Sequence, residues 1–239
     1  MGTHYWNRDN FEGLKALTSV LRANPQLVAL AEVCELREKG LRRQAFQALD
    51  AFLSETKRWD VDACRAAVVA ILDAQRGAPA VHQFLWDPLR RRFVEPVLEQ
   101  WRADQPEDVE PLRELALLRR DEVLLRDALA LDPGDDLVRE AVVASRIRFI
   151  SYATHHLAEG KFLGDEVETI AVLAEANALL DGVSDRHWAK SHRTRLDELE
   201  RLLVDWQEFR ANPEGTFPAW CRSHDRNHRW MTSFYYGEA

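Results

Sequence analysis

Apolar residues recur at helical spacing along almost the whole chain, and this periodicity limits the available folds more than any other feature. In the first segment Phe11, Leu14, Leu17 and Leu21 lie three or four positions apart, which places their side chains on one face of an α-helix. The 239 residues include 31 Leu and 30 Ala, but only 30 Val, Ile and Thr together. Because helix formers outnumber strand formers, the sequence predicts an all-α protein.

Gly, Pro and Asp residues divide this pattern into about ten or eleven helices joined by short connections, so successive helices are expected to be antiparallel neighbours. After the first segment, helices are predicted over residues 27–38, 42–56, 60–74, 81–85, 88–103, 110–119, 121–131, 136–159, 166–180 and 186–210. We expect a single helical-repeat domain over residues 1–239. Residues 104–109 are predicted to form an inter-repeat loop, and residues 213–239 an irregular tail that caps the last helix pair.

Residues 26–60 resemble a tetratricopeptide repeat, a 34-residue helix pair with small and apolar residues at set positions. Gly40 lies at the turn and Ala45 follows five residues later, and Ala48, Leu49, Phe52 and Leu53 occupy the packing positions of the second helix. Residues 128–133 look like the end of another repeat, and residues 20–25 resemble such a repeat end more weakly. The resemblance implies a tetratricopeptide-like α-solenoid, a right-handed superhelix that binds a protein or peptide in its concave groove.

The charge balance and the cysteine content exclude several classes of protein. The net charge is −8, which disfavours binding to nucleic acid and to anionic membranes. Three cysteines cannot form a disulfide framework, so reduced thiols in a cytoplasmic protein are expected. No apolar run approaches the roughly 20 residues that span a bilayer, and the N-terminal residues contain no signal-peptide pattern.

Two segments combine arginine with tryptophan, a pairing that can bind an acidic peptide or a phosphate group. The candidate partner-binding residues are Trp86, Arg90, Arg91, Arg92 and Trp101 in the first segment, and Arg186, Trp188 and Arg193 in the second. The alternative is a solvated helix face on which arginine stems cover aromatic rings.

Two groups of residues have the composition of a metal site. Cys221, His224 and His228 would share one face of a helix, and a thiolate with two imidazoles suits Zn²⁺. His155 and Glu159 are four residues apart on a predicted helix and are candidates for a metal site or an acid–base pair. The alternative for the first group is a docked aromatic tail with surface histidines. The alternative for the second is a polar helix end, at which a histidine interacts favourably with the helix dipole.

No glycine-rich phosphate loop and no nucleophile elbow occurs in the sequence, so no catalytic residue is assigned and no cofactor is expected. The first hypothesis is a non-catalytic protein that binds another protein or a peptide. It would act as an adaptor, as a scaffold or as an inhibitor in the manner of an immunity protein. The second is a metal-binding protein or metal-dependent enzyme that uses the His/Glu or Cys/His group.

Overall fold

The computed structural model describes residues 8–81, 84–228 and 230, and these residues form an all-α array without a β-strand. The prediction of the fold class is therefore confirmed. Most of the helices pack on the next helix along the chain. No helix of the described residues has both the length and the apolar character needed to cross a membrane. The contacts group the chain into two compact units, Met1–Arg119 and Arg120–Ala239.

The first unit contains seven α-helices in its described residues. They are α1 (Arg8–Arg22), α2 (Val28–Glu38), α3 (Arg42–Thr56), α4 (Val61–Gly77), α5 (Asp87–Leu89), α6 (Glu95–Asp104) and α7 (Val109–Arg119). A π-helical turn, Arg90–Val94, joins α5 to α6. Gly40 lies in the α2–α3 turn with a φ of +73°, a left-handed conformation that favours glycine.

The second unit contains five α-helices in its described residues. They are α8 (Glu122–Leu131), α9 (Asp136–Thr154), α10 (Glu166–Asp181), α11 (Arg186–Ala211) and α12 (Phe217–Ser223). A 3₁₀-helix, Leu157–Glu159, follows α9. Helices α9, α10 and α11 pack on one another around a core of leucine, valine and alanine.

Aspartate side chains set the first residue of five helices. Each carboxylate accepts a hydrogen bond from a backbone N–H of the first turn, which satisfies a donor that the helix itself leaves without a partner. The capping residues are Asp60, Asp121, Asp135, Asp165 and Asp185. The helix starts are therefore fixed by local sequence.

Three predicted boundaries were wrong. Helix α9 ends at Thr154 and does not continue to Glu159, because the chain enters a 3₁₀ turn that ends at the left-handed Gly160. Residues 81, 84 and 85 are not helical, although a helix was predicted over 81–85. The helix predicted over 88–103 is present, and it contains the π turn. The tail contains α12, which Thr216 caps and whose apolar face packs on α11.

A buried arginine links three helices of the second unit. Arg146 of α9 is 6% exposed. It donates two hydrogen bonds to Glu175 of α10, at 2.7 and 3.1 Å, and forms an ion pair with Glu122 of α8. A planar guanidinium can contact two carboxylates at once, which a lysine ammonium cannot match geometrically.

We expect Arg146→Ala to lower the free energy of unfolding by about 2 kcal/mol. This is less than the 3–5 kcal/mol for breaking a fully buried pair, because Glu122 and Glu175 stay partly solvated. Urea unfolding followed by circular dichroism measures the change. Arg148→Ala is the matched control, since Arg148 is exposed on the same helix and its loss should change stability by less than about 0.5 kcal/mol. Equal losses in the two variants would contradict the role of Arg146.

Glycine at position 13 permits a close approach between α1 and the segment that follows α4. A Cβ atom built on Gly13 would lie 2.1 Å from Cγ2 of Val81, and Val81 is 1% exposed. The atom in the way belongs to the short, buried side chain of Val81, which has little room to move aside, so the contact favours glycine in spite of its low helix propensity.

We expect Gly13→Ala to lower the melting temperature, because overpacking costs about 1–3 kcal/mol and the gain in helix propensity is only about 1 kcal/mol. Gly77→Ala is the control. Nothing lies within 4 Å of its added Cβ, so that variant should be neutral or slightly more stable. A rise in melting temperature for Gly13→Ala would show that Val81 can move aside.

Candidate functional site

The three consecutive arginines predicted to bind a partner are each paired with a carboxylate. Arg90 lies 3.0 Å from Asp87 and 3.5 Å from Glu95, and Arg91 lies 3.5 Å from Asp87. Arg92 reaches across to Asp50 of α3, at 2.6 Å. The structure therefore compensates these charges locally, which the sequence could not show because Asp50 is remote along the chain.

The two tryptophans of the same segment lie in different surroundings. Trp101 is 8% exposed and forms one wall of an apolar slot of about 220 Å³ between α4 and α6. The remaining lining consists mostly of apolar side chains. The lining residues are Trp59, Val61, Cys64, Arg65, Pro96, Val97, Gln100 and Trp101.

Both tryptophans of the slot are held in place by neighbouring side chains. Trp59 packs edge-to-face on Phe52 and Phe93, at centroid distances of 5.8 and 6.1 Å. The indole of Trp101 donates a hydrogen bond to Gln105, at 3.0 Å, and the guanidinium of Arg65 lies over its ring, 5.4 Å from the centroid. A ligand therefore meets walls that are already ordered, which lowers the entropic cost of binding.

Trp86 belongs to a second cavity in the first unit, a cleft of about 400 Å³ that we call the arginine cleft. It is lined by Phe11, Arg37, Gly40, Arg42 and Trp86. The guanidinium of Arg37 lies over the Trp86 ring, 4.4 Å from its centroid, and Trp86 in turn packs on Phe46 at 4.5 Å. The guanidinium of Arg42 lies 5.7 Å from the centroid of Phe46.

Two of the three candidate partner-binding residues at the start of α11 are held by contacts within the second unit. Arg193 donates a hydrogen bond to Asn177, at 2.7 Å, and forms an ion pair with Asp181. Trp188 stacks on His192, with centroids 3.6 Å apart, and packs against the core of α9, α10 and α11. Arg186 is exposed at the first position of the helix. The structure thus uses Arg193 and Trp188 for packing.

The expected pairing of His155 with Glu159 on one helix was wrong. Because α9 ends at Thr154, the two residues are not one helical turn apart on a common face. His156 takes the position next to Glu159, with Nδ1 3.0 Å from Oε1, and Nδ1 of His155 lies 2.5 Å from the carbonyl of Tyr152.

Cys221, His224 and His228 do not share a helix face, because α12 ends at Ser223 and Asp225 takes a φ of +55°. His228 contacts Asp205 of α11 instead, with 2.6 Å between Nε2 and Oδ2. Asp205 is 4% exposed, and Arg226 lies 3.4 Å from its second oxygen. We call Asp205, Arg226 and His228 the tail latch, since they join the segment after α12 to α11.

The thiols are held in their protonated form. Burial raises the pKa of Cys34 to about 12, and burial together with the charge of Asp205 raises the pKa of Cys221 to about 11. Burial and the neighbouring Asp60 also raise the pKa of Cys64. Because the thiolate is both the nucleophile and the metal ligand, these surroundings oppose either use.

No three His, Cys, Asp or Glu side chains among residues 8–81, 84–228 and 230 are arranged so that they could hold a metal ion. The resemblance to tetratricopeptide repeats stays a prediction. Comparison of the chain with protein-family models, with curated proteins and with solved structures gives no match.

Sequence reasoning missed the residues that build these sites around the named tryptophans. Arg37 and Arg42 flank the turn at Gly40, so their spacing was a readable signal that two arginines meet at one end of a helix pair. Val97 and Asp205 carried no such signal. Both lie on amphipathic helices, and only packing distinguishes a slot wall or a latch from an ordinary helix position.

We expect Asp205→Asn to release the tail latch, because the buried carboxylate loses its charge-assisted contacts with His228 and Arg226. Limited trypsin digestion of the native protein should then cut after Arg226 about tenfold faster. Glu208→Gln is the control. Glu208 lies 3.8 Å from Arg226 and both side chains are half exposed, so its loss should have little effect. Equal cleavage rates in Asp205→Asn and the unaltered protein would contradict the latch.

Proposed function

We propose that this protein binds another protein or a peptide without catalysing a reaction, and that the apolar slot beside Trp101 receives one apolar side chain of the partner. The slot itself is the observation that carries the proposal. Two ordered tryptophans face it, and Val61 on its rim is 54% exposed. Desolvated aromatic pockets of this kind are where binding energy concentrates in protein interfaces.

The volume of the slot supports a side chain as its occupant. Pockets that enclose a whole small molecule measure about 300–1,000 Å³, whereas this slot measures about 220 Å³. A single Leu, Met or Phe side chain fits that space. An anchor of this type buries apolar area without leaving a polar group of the partner unsatisfied.

The charges around the slot favour an apolar anchor over an ionic one. Arg65, the one charged residue of the lining, lies 2.8 Å from Asp104. The arginines of the π turn are paired as well. Because exposed ion pairs contribute little net free energy, apolar burial supplies the main driving force for this interaction.

The experiment is selection of a random peptide library on the purified protein, followed by binding measurements with Val97→Trp. The added indole fills the slot from its wall, so we expect selected peptides to share one large apolar residue and to lose affinity about 30-fold in this variant. A loss of that size corresponds to one anchor residue of about 2 kcal/mol.

Val20→Trp is the matched control, since Val20 is 58% exposed on α1 and does not line the slot. Cys64 supplies a second readout. It is the partly exposed thiol, whereas Cys34 and Cys221 are buried, so a bound peptide should slow its alkylation by iodoacetamide. Selected peptides that bind Val97→Trp as tightly as the unaltered protein, or that leave alkylation unchanged, would overturn the proposal.

A further inference from the structure

A groove of about 750 Å³ runs along α11 in the second unit, and residues 225–228 line it beside Asp205. We call it the α11 groove. Leu202 and Val204 give it an apolar strip, and Val204 is 45% exposed. Apart from His228, its charged lining consists of three arginines and five carboxylates. The carboxylates are those of Asp197, Glu198, Glu200, Asp205 and Asp225. The groove therefore has an excess of negative charge.

Ion pairs within the groove leave this negative excess in place. Arg195 lies 3.1 Å from Glu198, and Arg226 lies 3.4 Å from Asp205. The third arginine, Arg201, donates a hydrogen bond from Nε to a backbone carbonyl of its own helix, at 3.1 Å. The lining carboxylates that form no ion pair with any residue in the described part of the chain are Asp197, Glu200 and Asp225. Three carboxylates therefore share the remaining groove with one arginine.

One end of the groove already holds a basic segment of this chain. Residues 222–228 contain two arginines, two histidines and one aspartate. Two of these residues, Arg226 and His228, contact Asp205 in the tail latch. From Asp205 back to Asp197 the helix extends about 12 Å, at about 1.5 Å per residue, which matches about four residues of extended chain. The rest of the groove thus continues a surface on which α11 binds basic side chains.

We propose that the α11 groove binds a basic segment of another protein, with arginines of that segment paired to Asp197 and Glu200 and an apolar side chain on Val204. A guanidinium can bind a carboxylate through two hydrogen bonds while its stem covers apolar surface. The second unit has 15 basic and 22 acidic residues, and this charge attracts a basic partner from a distance. The groove shares no lining residue with the slot beside Trp101, so this inference goes beyond the proposed function.

Fluorescence anisotropy on the full chain tests the proposal with a labelled, capped hexapeptide of four arginines and two leucines. One reference peptide carries glutamate in place of each arginine. Spermine is the second reference, a polyamine cation that lacks the leucines. We expect the arginine peptide to bind at least about tenfold more tightly than either reference, because only this peptide matches both the carboxylates and the apolar strip. Its affinity should fall as salt is added, since salt screens exposed charges.

The double variant Asp197→Asn with Glu200→Gln should weaken binding of the arginine peptide about tenfold, because two charge-assisted contacts are lost. Glu168→Gln with Glu214→Gln is the matched control. It removes the same net charge from exposed positions of the second unit that do not line the groove.

Circular dichroism verifies the fold of both double variants. Val97→Trp should leave binding of the arginine peptide unchanged, so the two proposals fail separately. Equal losses in the two double variants would overturn the proposal, because the effect would then come from net charge alone. Equal affinity for the glutamate peptide or for spermine, or no binding of the arginine peptide at millimolar concentration, would overturn it as well.

Discussion

Burial of one apolar stripe per helix is the constraint on which both units depend. A single amphipathic helix cannot remove its apolar face from water alone, so neighbouring helices must cover it. Short connections make the next helix along the chain the nearest cover, and most of the helices pack in that way. The departures are informative. Helix α4 packs on α1 and α6, and the long segment between α4 and α5 brings Val81 against Gly13.

Electrostatic pairing determines which charges remain available for a ligand. Arg146 joins three helices through Glu122 and Glu175, and Asp205 holds His228 and Arg226 on α11. Those charges are used within the fold. In the arginine cleft, aromatic rings lie against the guanidiniums. A ring covers the face of a guanidinium, whereas a carboxylate also cancels its charge.

The first unit contains two cavities that are chemically unlike. The slot offers ordered apolar walls to an apolar side chain, whereas the cleft is lined by two arginines that lie beside aromatic rings. The two units also differ in their balance of charges. Residues 1–119 contain 17 basic and 18 acidic residues, whereas residues 120–239 contain 15 and 22. The acidity of the chain therefore resides mainly in the second unit, and the average charge conceals a nearly balanced first unit.

The sequence by itself determined the helical class and most helix boundaries, because periodicity, Asp caps and the glycine at position 40 act within a few residues. It also pointed to Trp86 and Trp101 as unusual tryptophans near arginines. Only the tertiary structure decided which arginines are neutralised, since Asp50 lies 42 residues from Arg92. It likewise decided that His228 contacts Asp205 and that Val97 faces a slot. Such partnerships arise from packing between helices, and a local pattern carries no information about which distant side chain will share a face.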